Sequence, residues 1–233
     1  MTDPATRRVA STSTVGPRDE SLGTRLILSR HGQTPWHAEN RYCGSSDVGL
    51  TTVGRQQARA LARWATNAAP TGLICSPMRR CLETAAPTAA ALGIEPVIVD
   101  DLREVHFGIA EGRTLDEVDA DHPGVVEAFR ADPVRHSFTG SEPPADAARR
   151  VAGVLRGLTS SHPDETVLVV AHNTAFRLAL CLLLGIELSH YRRIFPRIHN
   201  GALTHVRMLP DDQDPPALLG LNIPLDRTPA DSP

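Results

Sequence analysis

The stretch Leu26–His37, LILSRHGQTPWH, carries an arginine and a histidine at the end of an apolar run and then turns at Gly32. A continuous apolar run of this kind suits a strand buried on both faces of a parallel sheet. Two hydrophilic, cation-forming side chains at its carboxyl end belong at the rim of that sheet, where ligands of open α/β folds bind. The same design recurs twice. GLICS (residues 72–76) is followed by Pro77 and Arg80, and TVLVVAH (residues 166–172) ends in His172.

Helical patterns separate these runs. After Thr51, a capping residue by type, Ala58, Leu61, Ala62 and Ala65 fall at i, i+3, i+4 and i+7 and form one face of a helix. A second helix is expected from Pro77 to about Leu92, followed by a short strand in PVIV. The segment Thr114–His136 reads as helix interrupted by Pro123 and Pro133, and a long helix is expected over Ala145–Ser161, before TVLVVAH. Strands alternating with helical crossovers predict an α/β fold with a parallel sheet. Met1–Thr24 lacks either hydrophobic period and is rich in Ser, Thr, Pro and charge, which predicts a disordered arm. The segment 210–233 has the same character, although its ALLGLN insert has the makings of an edge strand, and its PDDQD run reads as solvated.

With 233 residues, 41% of them apolar, the chain can bury a substantial core. The net charge of -3 offers no general attraction to a polyanion, and no basic patch stands out, so neither nucleic acid nor an anionic membrane is an expected partner. Cys43, Cys75, Cys81 and Cys181 have no CxxC spacing and read as reduced thiols of a cytoplasmic protein. No apolar leader or membrane-length segment is evident. A homodimer is the oligomer left open.

Three strand ends bring Arg30, Arg80, His31 and His172 to one rim. Several cationic donors aimed at one point fit a dianion, and a phosphate monoester carries about -1.5 to -2 charges near neutral pH. A histidine held in one tautomer can act as a nucleophile toward phosphorus while guanidinium forks hold the equatorial oxygens. The leaving oxygen then needs a proton. Glu104, in DDLREVHFGIAEG, is a candidate donor, with Glu111, Asp100 and Asp101 as nearby competitors.

These residues resemble the motifs of the histidine phosphatase superfamily, also called the phosphoglycerate mutase-like family. RHGQT (30–34) matches its Arg-His-Gly signature, SPMRRCLETA (76–85) its Ser-Pro-Leu-x-Arg-Ala element, LREVHFGIAEG (102–112) its acidic element, and VLVVAHN (167–173) its apolar strand with a terminal histidine. Four elements in the family's order across roughly Arg25–Arg207 make a specific match. The resemblance implies a three-layer sandwich with a mostly parallel central sheet flanked by helices, with residues 25–209 as the catalytic domain. It implies His31 as the nucleophile that becomes phosphohistidine, Arg30, Arg80 and His172 as the clasp of the transferred group, and Glu104 as proton donor. It also implies that no metal or other cofactor is needed.

Several positions depart from the pattern. His37 stands where the family commonly has the asparagine that contacts phosphate, and either its ring or Asn40 or Arg41 would take that part. Arg41 matches the arginine of the family's first loop and, with His37, is an expected substrate contact. Cys43 replaces a common glutamine, and Asn173 replaces glycine with its backbone N–H still available to phosphate. Glu142, in GSEPPADAARR, resembles a family Gly-Glu-Ser element with altered order and would support the site. His106 and His199 are read as solvent-exposed loop residues. The expected activity is hydrolysis of a small phosphorylated metabolite. The alternatives are a phosphoglycerate mutase and a non-catalytic phosphate-binding or protein-interaction module. The region TLDEVDADHPGVVEAFRADPVRHSF lacks the Trp-Arg-Arg cluster typical of the mutases, which favours hydrolysis, and the intact motif set disfavours the module.

Overall fold

A computed structural model of the chain describes residues 23–210 and 215–225. The strands are β1 (Thr24–Arg30), β2 (Gly72–Cys75), β3 (Val97–Ile98), β4 (Thr166–Ala171), β5 (Leu203–Met208) and β6 (Ala217–Ile223). They form one sheet in the order β3-β2-β4-β1-β5-β6. The pairings β2 with β3, β2 with β4 and β1 with β4 are parallel, whereas β5 runs antiparallel to both β1 and β6.

Strand periodicity decides which helices lie on which face, because successive side chains point to opposite sides. Leu26, Leu28, Val167 and Val169 point to one side, where they share a core with Val151 and Leu155 of α5 (Pro144–Ser161) and Phe176 and Leu180 of α6 (Asn173–Leu183). Ile27, Leu168 and Val170 point to the other, against Leu61 of α1 (Thr52–Ala68) and Cys81 and Ala85 of α2 (Arg79–Leu92). This makes three layers, as expected. Thr51 does cap α1, its side chain accepting from Gly54 N–H. Two short helices, α3 (Leu115–Asp121) and α4 (Val125–Ala131), flank Pro123, and the four-residue α7 (Tyr191–Ile194) follows α6.

The N-terminal boundary needs correction, whereas the edge strand expected in the C-terminal segment is present. Thr24 is not part of an arm: it opens β1 opposite Met208 and is buried. The ALLGLN segment closes the antiparallel edge of the sheet as β6. The rest of the expected arm, residues 1–22, and residues 211–214 and 226–233 of the expected tail lie outside the described residues.

Gly32 is required by close approach. A Cβ there would lie 2.6 Å from Gly54 O, and one on Gly54 would lie 2.2 Å from Gln33 O. The turn after β1 is thus pressed backbone to backbone onto the start of α1, and Gly32 N–H donates to Thr84 Oγ1 of α2 at 3.0 Å.

Candidate active site

β4 lies between β2 and β1, so their carboxyl ends set His172 between Ser76 and the Arg30–His31 pair. The ladder continues past the strands: His31 N–H donates to Ala171 O and Ser76 N–H to Val170 O, both at 3.0 Å. The His31 ring lies 5.3 Å from that of His172 and 5.7 Å from that of His37, centroid to centroid.

His31 is buried, and its Nδ1 lies 2.8 Å from Gly32 O. A carbonyl only accepts, so Nδ1 carries the proton and the neutral ring presents an unprotonated Nε2. Burial, then the positive charges of Arg30 and Arg80, hold the imidazole well below its usual value near 6.5. The ring is therefore neutral at physiological pH, with a lone pair available for attack.

His172 is fully buried. Its Nδ1 accepts from Arg80 Nε at 3.2 Å, which leaves the proton on Nε2, facing Ser76 Oγ at 2.8 Å. Burial and then Arg80 hold it, too, well below 6.5. Arg80 is also fully buried, and its guanidinium donates to Ser46 O (2.8 Å), Gly44 O (2.8 Å) and Cys43 O (3.2 Å).

Beside these groups lies a cavity of about 730 Å³, lined by Arg30, His31, His37, Arg41, Glu104 and Asn173 among the expected site residues. Arg80 and His172, the other two residues expected in the clasp, adjoin His31 without lining the cavity themselves. They form a layer behind His31, with the Arg80 donors engaged by the 43–46 loop.

His37 and Arg41, the expected substrate contacts, are each held by neighbouring side chains. Both line the cavity, but His37 Nε2 accepts from Arg30 (2.7 Å) and Asn200 Nδ2 (3.1 Å), while Nδ1 faces Thr34 Oγ1 at 2.9 Å. Burial, then Arg30, pulls its pKa down to about 4. With no ring nitrogen left for a ligand, His37 orients Arg30, whose other terminal nitrogen donates to Ile198 O at 2.8 Å. Arg41 is forked on Glu117 at 2.7 and 2.8 Å and donates to Glu39 at 2.8 Å, so its charge is already matched.

Glu104 is buried at the start of α6. Its Oε1 accepts from Ala175 N–H (2.8 Å) and Val105 N–H (3.0 Å), and its Oε2 from Thr174 N–H (2.9 Å). A carboxylate at a helix N-terminus satisfies donors that have no intrahelical partner. Asn173, the first residue of α6, stands beside it, with its side-chain oxygen accepting from Ile198 N–H at 3.0 Å. Its competitor Glu111 organises the first loop instead, with Oε1 accepting from Gly44 N–H (2.9 Å), Ser46 N–H (3.0 Å) and Ser46 Oγ (2.8 Å). Glu142 pairs with Arg150, which donates to the carbonyls of Asp101, Arg103 and Glu104 and so fixes the loop that carries Glu104. The Cys43 thiol is pushed up to about 11 by burial. His199 lines the cavity, whereas His106 is exposed and bonds Gly140 O at 3.1 Å.

Sequence reasoning missed Arg177, Arg192, Arg197 and Asn200, which also line the cavity. No motif spacing marks them, although Arg177 falls four residues after Asn173 and so on its face of α6. Among the described residues, no group of three His, Cys, Asp or Glu side chains is placed to hold a metal ion, and no helix is long and apolar enough to cross a membrane.

The family model of the histidine phosphatase superfamily (branch 1) matches residues 26–222. Phosphoserine phosphatase 1 of Hydrogenobacter thermophilus is 32% identical over 167 residues, which cover 72% of this chain and 79% of that protein. Glucosyl-3-phosphoglycerate phosphatase of Mycolicibacterium vanbaalenii is 34% identical over 175 residues, covering 72% and 77%. A solved mycobacterial glucosyl-3-phosphoglycerate phosphatase superposes with a TM-score of 0.78 at 28% identity, over 86% of this chain and 99% of that one.

Proposed function

We infer the function from one premise: the chain belongs to the histidine phosphatase superfamily and is a phosphoric monoester hydrolase of it. On that premise we propose that it hydrolyses a small phosphorylated metabolite, without a metal, through a phosphohistidine on His31. The observation that carries this reading is the His31 ring, held neutral with its proton on Nδ1 against Gly32 O, in a side chain that lines the arginine-walled cavity. The names of the relatives, phosphatases of phosphoserine and of glucosyl-3-phosphoglycerate, support the substrate class.

In the first step His31 Nε2 attacks phosphorus, the ester P–O bond breaks, and the leaving oxygen takes a proton from Glu104. Of the two Glu104 oxygens, Oε2 accepts one N–H and Oε1 two, so Oε2 has the free capacity to carry that proton. Gly32 O steadies the positive charge the ring gains as the P–N bond forms. Arg30, oriented by His37, faces the phosphoryl oxygens together with the Asn173 N–H. Arg80 and His172 act from behind His31, as fixed charge and as packing for its ring. In the second step a water gives its proton to Glu104 and attacks phosphorus, the P–N bond breaks, and inorganic phosphate leaves.

The test is phosphate release from a panel of phosphomonoesters in the presence of EDTA, with wild-type protein and the His31→Ala variant, beside a phosphoglycerate mutase assay. Release that resists EDTA and is lost in the variant supports the reading. Retained turnover in the variant refutes His31 as nucleophile, and interconversion of phosphoglycerates without release makes the enzyme a mutase.

A further inference from the structure

The cavity is lined by more arginines than the phosphoryl end of a substrate engages. Arg30, Arg177, Arg192 and Arg197 all line it, and none of them has an ion-pair partner among the described residues. Arg41 on the same wall shows the contrast, paired with both Glu39 and Glu117. Of the acidic residues lining the cavity, Glu104 is committed to three backbone N–H groups and Glu39 to Arg41, which leaves Asp116.

Arg177 is the most telling of the group. It is only 3% exposed, its Nε is buried with no partner, and its one hydrogen bond runs to Tyr191 O at 3.5 Å. Its guanidinium lies over the Tyr191 ring, 4.8 Å from the centroid. Burial pulls its pKa down to about 10, a measure of what keeping the charge there costs. An unmatched buried guanidinium is strongly unfavourable unless an anion reaches it. Arg192 is half-buried and meets only uncharged partners, Tyr42 Oη at 3.3 Å, the Tyr191 side chain and the Phe129 ring at 5.1 Å. Arg177 follows Asn173 by four residues, about 6 Å along the helix axis, so its guanidinium is a short chain's length from the phosphate end.

We propose that Arg177, Arg192 and Arg197 form a second anion subsite, and that the substrate is a phosphomonoester with another anionic group, a carboxylate or a second phosphoryl, a short carbon chain away. The proposal rests on the hydrolase reading above. The phosphoryl group takes Arg30 and the Asn173 N–H beside His31, and the second anion matches the arginines that the chain leaves without a carboxylate. A neutral group at that end would leave the buried Arg177 without a counter-charge, so the subsite discriminates by charge.

The test compares kcat/KM for three substrates: 3-phosphoglycerate, glycerol 3-phosphate, which has a hydroxymethyl group in place of the carboxylate, and 1,3-propanediol bisphosphate. Wild-type protein is expected to prefer at least one of the doubly anionic esters to glycerol 3-phosphate by about tenfold or more. In Arg177→Gln and in Arg197→Gln that preference should shrink about tenfold, chiefly through KM. Arg197 is exposed, so its variant carries the test if Arg177→Gln does not fold. The better of the two doubly anionic esters identifies the second group. Equal turnover of charged and neutral esters by wild-type protein, or a preference untouched in both folded variants, overturns the subsite alone. No release from any of the three or from p-nitrophenyl phosphate overturns the hydrolase reading and the subsite with it.

Discussion

Histidines kept neutral by burial make the protein acid-sensitive in a way that can be apportioned. His172 is fully buried, and its pKa is held well below 6.5 by burial and by Arg80. In the unfolded chain it binds a proton as pH falls through about 6.5, while in the folded protein it does not. The unfolded state therefore binds more protons in that window, and folding stability falls as pH falls. From pH 7.5 to 5.5 one such histidine removes about 1.4 kcal/mol of stability. His172→Gln isolates this contribution. The glutamine carbonyl can accept from Arg80 Nε and its amide can donate to Ser76 Oγ, reproducing the 3.2 and 2.8 Å contacts without a titratable group. Urea unfolding of wild-type protein and variant at both pH values gives a difference of differences from which all other titrating groups cancel. Wild-type protein should lose about 1.4 kcal/mol more than the variant on acidification. Equal losses would mean that His172 takes up its proton in the folded protein, and the account of its environment would be wrong.

Glu111→Ala leaves the Gly44 and Ser46 N–H groups without their acceptor and should lower unfolding stability by about 1–3 kcal/mol in urea titrations. Arg150→Met frees the carbonyls of Asp101, Arg103 and Glu104, and steady-state kinetics should show kcat falling more than KM changes, because the phosphate end of the site is untouched. The Cys43 thiol, raised to about 11, should resist iodoacetamide at pH 7.5 in the folded protein and react once it is unfolded, as read by mass spectrometry. Asn222→Ala removes an acceptor for His199 N–H (2.8 Å) and a donor to Arg197 O (2.8 Å), so hydrogen exchange should speed up at His199.

The strand ends were legible because burial writes itself into sequence as uninterrupted apolar runs, and the residues that follow such runs in a parallel sheet converge on one rim. Arg30, His31, Ser76 and His172 could be placed together on that ground alone. Thr51 was legible as a cap for an equally local reason. What could not be read was the depth of each side chain. Arg80 and His172 sit behind His31 because the carbonyls of Cys43, Gly44 and Ser46 engage the guanidinium, and the path of that loop depends on Glu111, more than sixty residues away in the chain. The arginines of α6, α7 and the 196–200 segment carry no periodic signal. The C-terminal stretch looked like a tail by composition, yet Asn222 of β6, held at a φ of +55°, fastens the backbone of Arg197 and His199 that lines the cavity.

Catalysis as proposed turns on transfer of the phosphoryl group to His31 Nε2. The most direct measurement is to mix the protein with a ³²P-labelled phosphomonoester in EDTA, quench within milliseconds into alkali, and locate the label by peptide mass spectrometry. The expected result is an alkali-stable, acid-labile phosphoryl group on the peptide carrying His31, formed and lost at rates compatible with turnover and absent from His31→Ala. Turnover with no label on His31, or label carried by another residue, would contradict it.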